Sequence, residues 1–113
     1  MKKTKMLKKN YEFNRVFSKG KYYSGKTIEA FILDNKENFN YLGLAVSTKS
    51  GKAYQRNKVK RLLRANYQLL ETSLSQGYSI IFLWKKKCDI KKAEFYQIQK
   101  DMLKIFKDSN IKY

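Results

Sequence analysis

Residues 41–84 read YLGLAVSTKSGKAYQRNKVKRLLRANYQLLETSLSQGYSIIFLW, and three periodicities follow one another within them. Residues 41–47 alternate, Leu42, Leu44 and Val46 against Tyr41, Gly43 and Ala45, which is the period of a strand. After a loop at 47–52 around Gly51, residues 53 to about 73 change to a helical period. At about 100° per residue, Val59, Leu62, Leu63, Asn66 and Leu70 share one arc and Arg56, Asn57, Lys60, Arg61 and Arg64 share another, with Lys58 outside the basic arc. Gly77 then precedes the apolar run 80–84, a buried strand by length and composition. A strand, a helix and a strand in that order make a βαβ crossover, so residues 80–84 are expected to run parallel to 41–47 or to a strand near it.

Working outward, residues 27–33 alternate Ile28, Ala30 and Ile32 against Glu29, Phe31 and Leu33. They are expected to form an antiparallel partner of 41–47 through the polar turn 34–40. A short strand is expected near Tyr22. Ahead of it, Asn10 is placed to cap a helix of about two turns in which Phe13, Val16 and Phe17 recur at i, i+3 and i+4, with Gly20 near its end. From Asp89 the pattern returns to helix, with Phe95, Ile98, Met102, Ile105 and Phe106 on one stripe. There is no proline, repeat or linker. The expected fold is a single α/β domain over residues 1–113, an α+β sandwich of a small mixed sheet and helices.

Charge narrows the function. The formal net charge is +17 on 113 residues, more than solubility needs, and 42 % hydrophobic residues suffice for a core. A polyanionic partner is implied. Of four arginines, three fall in Arg56-Asn57-Lys58-Val59-Lys60-Arg61-Leu62-Leu63-Arg64, and no acid occurs between Asn38 and Leu70. Arginine's planar fork grips phosphate bidentately and stacks on bases, so its clustering in a lysine-rich chain marks a site with geometric demands. With one cysteine, Cys88, no histidine and nine scattered acids, the chain lacks the groups for disulfides, Cys/His zinc sites or Ser-His catalysis. No apolar run approaches a membrane span and no secretory signal is visible, so a cytoplasmic location is expected.

The run Leu42-Gly43-Leu44-Ala45-Val46-Ser47-Thr48-Lys49, then Gly51-Lys52-Ala53, then Arg56 to Arg64 as quoted above, resembles the protein subunit of bacterial ribonuclease P. Leu7, Phe13, Val16, Phe17 and Gly20 are similar to that family's first helix, and residues 77–85 to its last strand. Four positions depart from the pattern: Lys58 replaces the second arginine of Arg-Asn-Arg, Thr48 the first lysine of Ser-Lys-Lys, Ala65 an acid after the basic run, and Ser79 or Tyr78 the acid opening the last strand. The resemblance implies a left-handed βαβ crossover, and a subunit that helps remove the 5′ leader from precursor tRNA while the partner RNA catalyses and holds the magnesium ions. It implies RNA binding through Lys49, Lys52, Arg56, Asn57, Lys60, Arg61 and Arg64. It also implies a leader cleft lined by Phe13, Phe17, Phe31 and either Leu83 or Trp84; a one-residue slip exchanges these two, and Trp84 is taken.

The residues alone leave other readings open. A ribosomal or other structural RNA-binding protein would share the charge and size, and a DNA-binding protein the basic helix, although no dimer seam or helix-turn-helix spacing is present. The lysines at 2–9 read as a frayed arm with unspecific phosphate attraction. Phe13 and Phe17, at helical spacing, also suit a core. Phe31 lies opposite Ile28, Ala30 and Ile32, so it faces solvent or a cleft if those three face the core.

Overall fold

In a computed structural model, which describes residues 4–111, the chain forms five strands and three helices. In order these are β1 (Thr4–Met6), α1 (Asn10–Lys19), β2 (Lys21–Ser24), β3 (Ile28–Asp34), β4 (Asn40–Ala45), α2 (Ala53–Leu70), β5 (Tyr78–Trp84) and α3 (Phe95–Ser109). One mixed sheet of order β1-β4-β5-β3-β2 holds all the strands. The expected crossover is present, since β5 runs parallel to β4 with Leu42 beside Ile80 and Leu44 beside Phe82.

The expected pairing of 27–33 with 41–47 is not. β5 lies between β3 and β4, antiparallel to the first and parallel to the second, so the two point in opposite directions without touching edge to edge. The polar segment between them spans one strand's width rather than closing a hairpin. Gly77, at φ +99°, turns the chain into β5, and its carbonyl accepts from the Asn35 amide at 2.8 Å.

Alternation divides the sheet into two faces. Ile28, Ala30, Ile32, Leu42, Ile80, Phe82 and Trp84 meet Val59, Leu63 and Tyr67 of α2 and Ile98, Met102, Ile105 and Phe106 of α3 in one dry core. The opposite face is thinner. There α1 contributes Val16 to a small cluster with Leu7 and Ile81, edged by the half-buried Phe13, Phe17, Phe31, Leu33, Tyr41 and Leu83.

The hand of the β4-α2-β5 connection follows from which residues bond to which neighbour. Gly77 accepts from Asn35 and Lys85 donates to Thr27, which in this register makes the odd-numbered residues of β5 the ones bonded to β3. Ile80, Phe82 and Trp84 therefore bond toward β4, and their side chains face α2. In an L-chain running upward, a residue whose side chain points at the viewer directs its own N–H and C=O to the right. Seen from α2, β4 thus lies to the right of β5. The chain rises on the right, crosses in front and rises again on the left, a left-handed crossover against the usual right-handed rule.

Residues 4–6 are not a frayed arm. They extend the sheet as a parallel edge strand on β4, and the Leu7 amide donates to the Leu42 carbonyl at 2.9 Å. Thr4 Oγ1 donates to the Glu71 carboxylate and lies 2.8 Å from the Tyr67 hydroxyl, tying the strand to the end of α2. Lys2 and Lys3, included in the expected arm, lie outside the described residues.

Candidate nucleic-acid interface

The α2 surface has the two arcs its sequence dictates. Val59, Leu63, Asn66 and Tyr67 are buried, and Asn57 and Arg61 stand exposed on the far side. Arg56, Lys60 and Arg64 are half-buried on the flank between, and Lys58 is exposed on the opposite flank. The preceding loop turns through a short 3-10 segment, Thr48–Ser50, in which Ser47 Oγ accepts from the Lys49 amide at 3.2 Å. Gln55 Oε1 then accepts from the Lys52 amide at 2.8 Å, leaving the side chains of Lys49 and Lys52 exposed beside the first turn. All seven expected RNA-binding residues therefore lie along one loop and helix. Arg56 differs from the rest: its Nη1 donates to the Gly51 carbonyl at 2.7 Å, so part of its fork is committed to holding the loop.

The aromatic cleft lies on the other face of the sheet. Phe17 stands 6.5 Å from Phe13 and meets Phe31 edge-on at 5.2 Å between centroids. Phe31 faces away from Ile28, Ala30 and Ile32, as its alternation requires. Tyr22 of β2, which the sequence reading placed on a strand without a role, extends the row 5.4 Å beyond Phe31. Its hydroxyl donates to Glu29 at 2.6 Å, and the adjoining carboxylate holds the phenol above its ordinary pKa.

Trp84 does not belong to this cleft. It is 2 % exposed in the α2/α3 core and its Nε1 donates to the Cys88 carbonyl at 3.0 Å, so the cleft-side residue is Leu83. The even residues of β5 face the core, which fixes the register that the sequence left open.

Two further residues shape the cleft. Gly43 of β4 lies beneath Phe13, and a Cβ built there would come within 2.7 Å of the Phe13 ring. The missing side chain is what lets the ring rest on the sheet. Arg15, the one arginine outside the α2 cluster, lines a cavity of about 200 Å³ between α1 and the sheet with Glu12, Leu33, Tyr41 and Ser79. A lone arginine on a short helix gave no signal in the sequence.

The start of α1 is set by Glu12, not by Asn10. The Glu12 carboxylate accepts from the amides of Lys9 and Lys8 at 2.8 and 3.1 Å, which makes Lys9 the cap and lowers the pKa of Glu12 below its ordinary value. The helix then runs ten residues, longer than the two turns expected. Among the described residues no three His, Cys, Asp or Glu side chains converge as metal ligands. Asp101, the acid most deeply placed on α3, is occupied by Lys26 and Thr27 amides, the Thr27 hydroxyl and Gln97.

A basic helix on one face of a mixed sheet and a row of rings on the other make a small α/β protein with two surfaces suited to nucleic acid. A family model described as Ribonuclease P matches residues 1–110. The ribonuclease P protein component of Natranaerobius thermophilus is 39 % identical over 105 residues, covering 93 % of this chain and 90 % of that protein. That of Alkaliphilus oremlandii is 38 % identical over 111 residues, covering 98 % and 96 %. The solved RNase P protein of Staphylococcus aureus superposes with a TM-score of 0.83 at 28 % identity, covering 96 % of this chain and 97 % of the other. The chain belongs to the ribonuclease P protein family.

Proposed function

We propose that the chain works as the protein subunit of a ribonuclease P holoenzyme, holding a catalytic RNA with the α2 surface and the single-stranded leader of precursor tRNA in the aromatic cleft. The observation that carries this is the separation of the two surfaces. The cations of α2 lie on the α2/α3 side of the sheet, and the Phe13, Phe17 and Phe31 rings on the α1 side. One subunit can thereby touch both the enzyme RNA and its substrate.

Each surface has its own physics. Lys49, Lys52, Arg56, Asn57, Lys60, Arg61 and Arg64 offer charge-assisted contacts to phosphate, with counterion release adding affinity that falls steeply with salt. The rings offer stacking, which tolerates any base and suits leaders of varied sequence. The reaction itself is assigned to the RNA, together with its magnesium ions, as the family to which the chain belongs implies; among the described residues no three His, Cys, Asp or Glu side chains converge to hold a metal. The protein's part is positional and electrostatic. Among the described residues no helix is long and apolar enough to cross a membrane.

The test is reconstitution. Purified chain, added at low magnesium to a catalytic ribonuclease P RNA and precursor tRNA, should restore 5′ cleavage, and the chain verified free of RNA should cut nothing at any magnesium concentration. Cleavage by the protein alone, or no stimulation of the RNA, would overturn the reading.

A further inference from the structure

Five rings stand exposed among the described residues; three have an interacting neighbour and a fourth lines a cavity. Tyr22 bonds to Glu29 and packs on Phe31, Phe39 lies under the Lys5 ammonium at 4.6 Å, Tyr96 meets Phe95 edge-on at 5.2 Å, and Tyr11 lines the cavity beside α1. Tyr54 has none. Its side chain is 68 % exposed, with no ring contact, hydrogen bond or overlying cation among the described residues.

Helix formation does not ask for a ring there, since tyrosine is a poorer helix former than the lysine, glutamine or alanine that flank it. Its position is specific. Tyr54 precedes Asn57 by three residues, Lys58 by four and Arg61 by seven, so on the outward side of α2 it stands beside Arg61, with Asn57 on one flank and Lys58 on the other, and all four are exposed. No acid occurs from Asn38 to Leu70. A flat ring next to exposed cations, on a helix that carries no acid, suits an unpaired nucleotide, whose phosphate meets the cations while its base meets the ring.

We propose that Tyr54 is a stacking residue for an unpaired base of the catalytic RNA, next to the phosphate contacts of Arg61. The inference rests on the reading of α2 as the RNA-facing helix and adds to it a contact that is not electrostatic. That difference supplies the test. Affinity for the catalytic RNA is measured against salt for the parent, Tyr54→Phe, Tyr54→Leu and Arg61→Ala, after confirming that all melt alike. Tyr54→Leu should bind roughly five- to a hundred-fold more weakly at every salt concentration with an unchanged slope, because stacking releases no counterion. Tyr54→Phe should match the parent. Arg61→Ala should instead reduce the slope by about one. Parental affinity in Tyr54→Leu, or a change of slope in it, overturns the stacking role. A parent chain that does not bind the RNA at all overturns the proposed function first, and is distinguishable because all four proteins then fail together.

Discussion

Arg56 donates from Nη1 to the Gly51 carbonyl at 2.7 Å, whereas Arg61, five residues on, projects into solvent. Two arginines of one motif thus carry different duties. Arg56→Ala should lower stability by about 1 kcal/mol, the worth of a charge-assisted bond in a half-exposed setting, and weaken RNA binding as well. Arg61→Ala should leave melting unchanged and weaken binding by roughly 1 to 3 kcal/mol. Lys58→Ala, on the other flank, should cost less than Arg61→Ala. Parallel melts and RNA titrations decide it; equal melting losses at Arg56 and Arg61 would remove the distinction.

Trp84 is a core residue whose indole N–H serves the Cys88 carbonyl. Trp84→Phe leaves that carbonyl without its donor and a void beside Ile28, its partner on β3. It should destabilise by roughly 1 to 3 kcal/mol and leave leader affinity in the holoenzyme at the parental value. A selective loss of precursor tRNA in a variant that still folds would return Trp84 to the cleft.

Much of this was legible because periodicity reports local burial. The alternation of 27–33 states which side chains meet the core and is borne out; the inward arc of α2 is borne out at Val59, Leu63 and Asn66, while Leu62 and Leu70 are half-buried and the buried Tyr67 lay outside it. The apolar run of β5 announces a buried strand without saying which of its side chains face the helices. What periodicity cannot report is which strand lies beside which. Consecutive strands usually pair, so a hairpin of β3 and β4 is the local expectation, yet β5 enters between them after a helical excursion. β1 was invisible for a related reason: three residues are too few to show an alternation, and the strand is held by β4 and by Tyr67 and Glu71, the last two more than sixty residues away. Trp84 failed on a single-residue slip, and Gly43 and Arg15 because their significance lies in what rests against them.

Glu12 gives the first turn of α1 a pH dependence. Its carboxylate is favoured in the folded state by the Lys9 and Lys8 amides, so its folded pKa lies below the ordinary 4.5. The stabilisation is complete above that ordinary value and is lost as pH falls through the lowered one. The protection of the Lys8 and Lys9 amides, their exchange measured relative to the intrinsic rate at each pH, should therefore fall on acidification below the ordinary 4.5, and Glu12→Gln should abolish that change in protection. A titration that leaves those amides equally protected in acid would show that the cap is held by other groups.

Gly43 is the seat of Phe13. In Gly43→Ala the new methyl would lie 2.7 Å from the Phe13 ring, with Leu7 also within 3.1 Å, so ring or strand must shift. The expected result is an overpacked cleft, about 1 to 3 kcal/mol less stable, with leader affinity reduced and assembly with the catalytic RNA intact, since α2 is on the other face. Combining it with Phe13→Leu should recover part of the stability. If the double variant is simply the sum of the singles, the two residues do not press on each other.

Phe31 separates leader binding from assembly with the RNA. It stands between Phe17 and Tyr22 on the α1 side of the sheet, and α2 lies on the opposite side. Phe31→Ala should raise the dissociation constant for precursor tRNA by the equivalent of roughly 1 to 3 kcal/mol, with little dependence on leader sequence. Affinity for mature tRNA and for the catalytic RNA should be nearly unchanged. Because Phe31 is half-buried and touches two rings, its truncation also loosens the cleft, so Phe31→Tyr is needed alongside it. That variant keeps the aromatic face and should retain leader affinity. Measuring both tRNA forms in the reconstituted holoenzyme, with leaders from one to about eight nucleotides, shows where the rings engage: the deficit should grow with leader length and then level off once the row of rings is filled. An equal loss of precursor and mature tRNA would make Phe31 a packing residue and leave the cleft without its assigned ligand.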